Sequence, residues 1–181
     1  MTDFMEVLRS RRSIRKYEDR DIPEEMLEPI FEAVRWAPSW ANTQCWEIVA
    51  VRDPAQKKKL RETLPAKGNP AAGAVEKAPL VLAVCGRRKV SGYYKGEVTT
   101  KFGDWFLFDL GIAVENLCLA ARDLGLGTVI VGLFDHDQAA KVLNLPDDVE
   151  AAVLVPVGFP AKSPSAPKRR EISEFVHKER Y

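Results

Sequence analysis

Residues 11–17 read Arg-Arg-Ser-Ile-Arg-Lys-Tyr, four cations around one serine, a set suited to holding a multiply charged anion. Guanidinium forks match phosphate oxygens, and each charge-assisted hydrogen bond contributes roughly 1.5–3 kcal/mol. Four such contacts give roughly 6–12 kcal/mol before ordering costs, comparable to the ~8 kcal/mol of micromolar binding. The competing reading is that these arginines only pair with surface carboxylates. A second polar stretch, Ala37-Pro38-Ser39-Trp40-Ala41-Asn42-Thr43-Gln44-Cys45-Trp46, carries Ser39, Asn42 and Gln44, neutral donors and acceptors suited to a heterocycle with amide-like edges. Taken alone it is equally a helix stop and turn.

The whole chain has 27 Lys+Arg against 26 Asp+Glu, so the cluster is a local feature and points to a discrete phosphate site. A net charge of +1 disfavours nonspecific nucleic-acid binding, which needs a broad basic face. Cys45, Cys85 and Cys118 show no CxxC spacing and sit in apolar stretches, which reads as reduced core thiols in a cytoplasmic protein. His136 and His177 lack partner ligands in the sequence, so no metal site is expected, and no nucleophile stands beside an evident base. The segment 105–124 is mostly apolar, but Asp109, Glu115, Asn116, Arg122 and Asp123 interrupt it. It reads as a buried helix and not as a membrane span.

The elements that must position these residues follow from periodicity. Asp3 and Glu6 form a capping-box pattern for a first helix with Phe4, Val7 and Leu8 on one face. Pro23 suits the first turn of a second helix, with Met26, Leu27, Ile30, Phe31 and Val34 turned inward; Pro29 implies a kink or a late start. Strands are expected over 46–51, 80–85, 128–133 and 151–157, and helices over 54–64, 105–124 and 136–145. Residues 87–103 have the composition of a lid or crossing loop, in which Tyr93 and Tyr94 either line a pocket or anchor the loop. The pattern gives one layered α/β or α+β domain over 1–181, with 158–181 as an extended tail, and leaves strand direction open. Gly125, Gly127 and Gly132 do not make a dinucleotide fingerprint, because they run helix, glycines, strand.

Four landmarks in register carry a resemblance: the 11–17 cluster, the Pro-led helix, Ala37-Pro38-Ser39 with Asn42-Thr43-Gln44 before Trp46, and Val157-Gly158-Phe159-Pro160. Together, over residues 4–177, they resemble the nitroreductase family of flavin-binding proteins. The resemblance implies an α+β three-layer fold with a central mixed, mainly antiparallel sheet flanked by helices. It also implies a homodimer with FMN bound at the subunit interface. By resemblance Arg11, Ser13 and Arg15 meet the FMN phosphate and the pyrimidine edge, Arg12 contributes side chain or backbone, and Pro38, Ser39, Trp40 and Asn42 come from the partner, with Gln44 in the same loop. Ile130, Val131 and Gly132 match the strand end facing the flavin, and Lys168 with Arg169 or Arg170 matches residues closing over the phosphate. Asn69 matches a flavin-contacting asparagine, although an Asn-Pro turn explains it as well.

The implied activity is oxidoreduction: hydride passes from NAD(P)H through FMN to an electron-poor small molecule such as a nitroaromatic or quinone, with no catalytic side chain, metal, membrane or nucleic acid required. Flavin storage or sensing, and flavin-fragmenting or dehalogenating chemistry, remain alternatives. Cys45 stands where proline is usual, Trp40 where a small residue is common, and Val131 where some relatives carry glutamate.

Overall fold

A computed structural model of the protein describes residues 3–181. In chain order the elements are α1 (Phe4–Ser10), α2 (Leu27–Arg35), β1 (Trp46–Val51), α3 (Pro54–Glu62), α4 (Ala72–Lys77), β2 (Leu80–Arg87), β3 (Tyr93–Tyr94), β4 (Glu97–Val98), α5 (Phe106–Asp123), β5 (Gly127–Thr128), α6 (His136–Leu143) and β6 (Val149–Gly158). The main sheet has the order β1-β2-β6-β5, and every paired ladder in it is antiparallel. One parallel bridge, Ser13 to Thr128, makes it mixed.

Strand β2 shows why the domain has three layers. Its side chains alternate with a period of two: Leu80, Leu82 and Val84 join the core formed with α2 and α5, while Val81, Ala83 and Cys85 join the core beneath α3, α4 and α6. All six are buried, as expected of a strand covered on both faces. Pairing with β6 shifts between Val84 and Cys85, leaving Ala152 as the extra residue, and the bulge turns both Ala152 and Val153 toward the core formed with α2 and α5.

Helix α5 crosses one face of the sheet. Its buried positions Phe106, Asp109, Leu110, Ala113, Val114, Leu117, Cys118 and Ala121 follow the helical period. Gly125, at φ +79°, ends it in a Schellman motif: Leu126 N–H reaches Ala121 O (2.8 Å) and Gly125 N–H reaches Arg122 O (3.0 Å). Among the described residues no helix is long and apolar enough to cross a membrane.

Two expectations are corrected. Residues 128–133 do not form a strand: β5 stops at Thr128 and only Val131 pairs further along, with Leu154. Val129 N–H still reaches Pro156 O at 3.4 Å, and Val129 and Val131 are buried while Ile130, Gly132 and Leu133 are exposed. Phe4 and Val7 share one face of the seven-residue α1, as expected, with Val7 buried and Phe4 64% exposed. The irregular 87–103 segment contains the β3–β4 hairpin, whose two-residue turn, Lys95-Gly96, has positive φ at both positions (51° and 83°). Pro29 behaves as expected. A 3₁₀ turn over Glu24–Met26 delays the start of α2, so Pro29 falls in its first turn, where no intrahelical donor is needed.

Candidate functional site

The basic cluster runs beside the short strand β5 and the end of β6. Ile14 N–H donates to Thr128 O (2.8 Å), Glu18 N–H to Phe159 O (2.9 Å), and Ala161 N–H to Lys16 O (3.0 Å). The Tyr17 hydroxyl donates to Ile14 O (2.7 Å) and Pro156 O (3.1 Å), and burial pushes its phenol well above the usual tyrosine range. Two glycines permit this close approach. A Cβ on Gly127 would lie 2.5 Å from Ile14 Cγ1, and one on Gly158 would lie 2.8 Å from both Tyr17 Cδ1 and Pro79 Cδ. The motifs 11–17 and 157–160, distant in sequence, are therefore one unit, with the glycines as the contact surface.

Within this unit the cations find few acids. Arg11 Nε lies 3.8 Å from Glu115 Oε1, an ion pair but not a hydrogen bond. Arg12 donates to the carbonyls of Arg9 (2.6 Å) and Arg11 (2.8 Å), closing the C-terminal end of α1. Arg15 donates to Ser13 O at 3.3 Å. Among the described residues no carboxylate pairs with Arg12, Arg15 or Lys16. Arg122 joins the group: its Nε donates to Ser10 Oγ (3.0 Å), and it lines the same small cavity as Arg11 and Arg12. Arg122 was indistinguishable in sequence from a polar interruption of an apolar helix. A neighbouring hollow is lined by Ser13, Arg15, Lys16 and Lys162.

The Asn69 and 130–132 positions come together beyond β5. Asn69 Nδ2 donates to Leu133 O (3.1 Å), while its Oδ1 accepts from Ala71 N–H (2.9 Å), so the side chain both makes the Asn-Pro turn and ties it to this segment. Val131 exchanges both backbone hydrogen bonds with Leu154 and buries its side chain in the core. Ile130 and Gly132 are the outward positions of the three.

The 38–44 loop sits elsewhere. Pro38, Asn42 and Gln44 border a surface hollow with Arg35 and Trp36, and no hydrogen bond or ion pair among the described residues joins this loop to residues 11–16. Its backbone is strained: Ala41 (φ 45°), Asn42 (φ 56°) and Gln44 (φ 47°) all occupy the left-handed region. Local bonds hold it, with Gln44 N–H donating to Ser39 Oγ (2.9 Å) and Gln44 Nε2 to Asn42 Oδ1 (3.3 Å). Thr43 Oγ1 is buried without a partner among the described residues. Trp40 N–H donates to Asp109 Oδ1 (3.1 Å) on α5.

Lys168, Arg169 and Arg170 lie in an arm that is exposed throughout from residue 161. Arg170 bonds Glu174 O and stacks near Phe175, both within the arm. Within one chain, then, the arm is not folded onto the basic cluster beyond Ser163, Lys162 and Pro164, which line the two hollows described above.

Cys45, Cys85 and Cys118 are free and buried. Burial first, then Asp109, pushes the Cys45 thiol up to about 12; burial pushes Cys85 up to about 12 and raises Cys118 as well. No group of three or more His, Cys, Asp or Glu that could hold a metal occurs among the described residues.

Comparison with known proteins matches the nitroreductase family pattern over residues 8–159. The chain is 30% identical over 169 residues to a putative NADH dehydrogenase/NAD(P)H nitroreductase of Methanothermobacter thermautotrophicus, covering 90% of this chain and 80% of that protein. It is 34% identical over 193 residues to an FMN reductase [NAD(P)H] of Bacillus subtilis, covering 100% and 75%. A crystal structure of a nitroreductase family protein from Clostridium difficile 630 superposes with a TM-score of 0.84 at 26% identity, over 99% of this chain and 100% of that one.

Proposed function

The chain belongs to the nitroreductase family, and from that premise we propose that it is an FMN-dependent oxidoreductase, taking hydride from NAD(P)H and delivering it to an electron-poor acceptor such as a nitroaromatic or quinone. The observation that carries this reading is the concentration of Arg11, Arg12, Arg15, Lys16 and Arg122 beside β5 with a single carboxylate in ion-pair range, at 3.8 Å. Such a donor set fits a phosphate-bearing group. When bound, FMN supplies the hydride chemistry.

The residues supply placement and charge. Arg11 and Ser13 hold the phosphate together with Lys168 and Arg169 or Arg170 of the arm, and Arg15 places a positive charge beside the ring, which raises its affinity for electrons. Arg12 acts mainly by fixing the turn, because its guanidinium already serves two carbonyls. Ile130 and Gly132 offer an exposed wall, and Asn69 holds that wall in place through Leu133 O. Pro38, Ser39, Trp40, Asn42 and Gln44 are offered to the site of a second copy. The lack of bonds between this loop and residues 11–16 of the same chain supports a homodimer, as does the exposed apolar surface.

That surface includes Trp36 (75% exposed), Phe102, Leu107, Phe108 and Leu133. Phe102, Trp105 and Phe108 form an aromatic run with centroid separations of 6.2 and 4.9 Å.

The test is direct. Purified protein mixed with FMN should run as a dimer, stay yellow after desalting, and bleach anaerobically on adding NADH or NADPH. A colourless monomer that takes up no FMN would overturn the proposal; a yellow dimer inert to both donors would favour flavin storage or sensing.

A further inference from the structure

Asp109 is a carboxylate on the core stripe of α5, at i, i+4, i+8 spacing with Ala113 and Leu117, and only 1% exposed. Removing a charged group from water is costly unless it is hydrogen-bonded on all sides, and no cation pairs with it among the described residues. Its oxygens are instead met by three neutral donors from two separate loops. Ser91 Oγ–H donates to Oδ2 at 2.6 Å, Cys45 Sγ–H to Oδ2 at 3.7 Å, and Trp40 N–H to Oδ1 at 3.1 Å. Asp109 also lies in the first turn of an 18-residue helix, where backbone dipoles favour negative charge.

The three donors mark the edges of two loops. Trp40 and Cys45 bracket the strained 40–44 turn, whose three left-handed residues persist only if something outside the turn holds them. Ser91 opens the loop carrying the β3–β4 hairpin. That loop closes through Trp105 N–H to Ser91 O (3.0 Å) and Thr99 N–H to Gly92 O (2.9 Å). Gly92 has no room for a side chain, since a Cβ would lie 2.5 Å from Gly103 O. Ser91 is fully buried, and its hydroxyl has Asp109 as its partner. One carboxylate therefore ties a strained turn to the base of a surface hairpin.

We propose that Asp109 is a positioning residue that couples the 39–45 loop to the 91–105 loop, so that the turn offered to a second copy and the base of the surface hairpin are set together. The inference rests on the oxidoreductase reading for its consequence in turnover, but the coupling can be measured without flavin. Asp109→Asn keeps shape and removes the charge that all three donors share. In hydrogen exchange of the full-length protein, the amides of Trp40, Gln44, Thr99 and Trp105 should exchange at least ~10-fold faster in this variant, with β2 and β6 unchanged. Ser91→Ala is the milder variant and the sharper one: its side chain touches Asp109, yet exchange in the 39–45 loop should rise about threefold.

With NADH or NADPH saturating, Asp109→Asn should raise the KM for a nitroaromatic acceptor about tenfold while kcat stays within about twofold, the split expected when a loop offered to the site is displaced without loss of the reacting groups. Ser91→Ala changing exchange only in 91–105 would overturn the coupling, and an unchanged acceptor KM in Asp109→Asn would overturn its consequence for turnover. Wild-type protein that takes up no FMN would overturn the oxidoreductase reading and leave the exchange result standing.

Discussion

The two halves of α5 carry opposite electrostatic imbalances and resolve them in opposite ways. In the N-terminal half Asp109 is a buried carboxyl group with no cation paired to it among the described residues, and three neutral donors converge on it. About 9 Å along the axis, by the rise of an α-helix, Glu115 stands near Arg11, and cations gather there without matching acids. The first imbalance is internal, because a buried charge must be satisfied by the chain itself. The second is left half-exposed, where water tolerates it and an incoming anion can displace that water. A charge answered fully inside the fold indicates architecture; a group of charges that outnumbers its acids and stays half-exposed indicates a ligand.

That contrast is open to attack, first where the effect should be largest. Asp109→Ala leaves three buried donors without an acceptor and should cost about 3 kcal/mol of stability, read by urea unfolding. A loss below ~1 kcal/mol would mean that the carboxylate is dispensable and the comparison fails. Arg11→Ala should behave the opposite way. FMN affinity falls roughly 10- to 100-fold, the equivalent of one charge-assisted contact, while stability stays within about 0.5 kcal/mol.

Salt sharpens the difference. FMN affinity of the wild type should fall steadily as ionic strength rises, whereas the stability gap between wild type and Asp109→Ala should stay nearly constant, because buried contacts are little screened. Alkali probes the buried end again. The Cys45 and Cys85 thiols are raised from an ordinary value near 9 to about 12, so the native state holds protons that the unfolded state releases. Stability from this source is complete below pH 9 and declines as pH rises from about 9 to 12. Native protein at pH 8 should accordingly resist a maleimide that labels all three cysteines after unfolding. The smallest effect concerns strain: Ala41→Gly relieves a left-handed φ of 45° and should raise stability by up to about 1 kcal/mol, in thermal unfolding.

Much of the molecule was legible from residue order. Trp46–Val51 begins and ends where its apolar run and flanking turn residues placed it, although only Val51 of this expected buried strand is buried, and Asp53 and Asp135 cap their helices by accepting from Gln56 N–H (2.8 Å) and Gln138 N–H (2.9 Å). The basic cluster was visible because four cations in seven residues need no third dimension to be noticed. Asp109 was not, since in sequence it only interrupts an apolar helix. The available signal was its place on the buried stripe, four residues before Ala113 and eight before Leu117.

The boundary between the two kinds of knowledge is the range of the interactions involved. Caps, helix periods, strand alternation and local charge density depend on neighbours within a few residues, so the amino-acid order determined them, along with the family resemblance that ordered motifs carry. Contacts between distant segments were decided by tertiary structure alone: Gly127 and Gly158 lying bare beneath Ile14 and Tyr17, residues 128–133 leaving the sheet after two residues, and one carboxylate gathering Trp40, Cys45 and Ser91. Each depends on which surfaces meet when the two cores close on the sheet, and no pattern confined to one segment encodes that meeting.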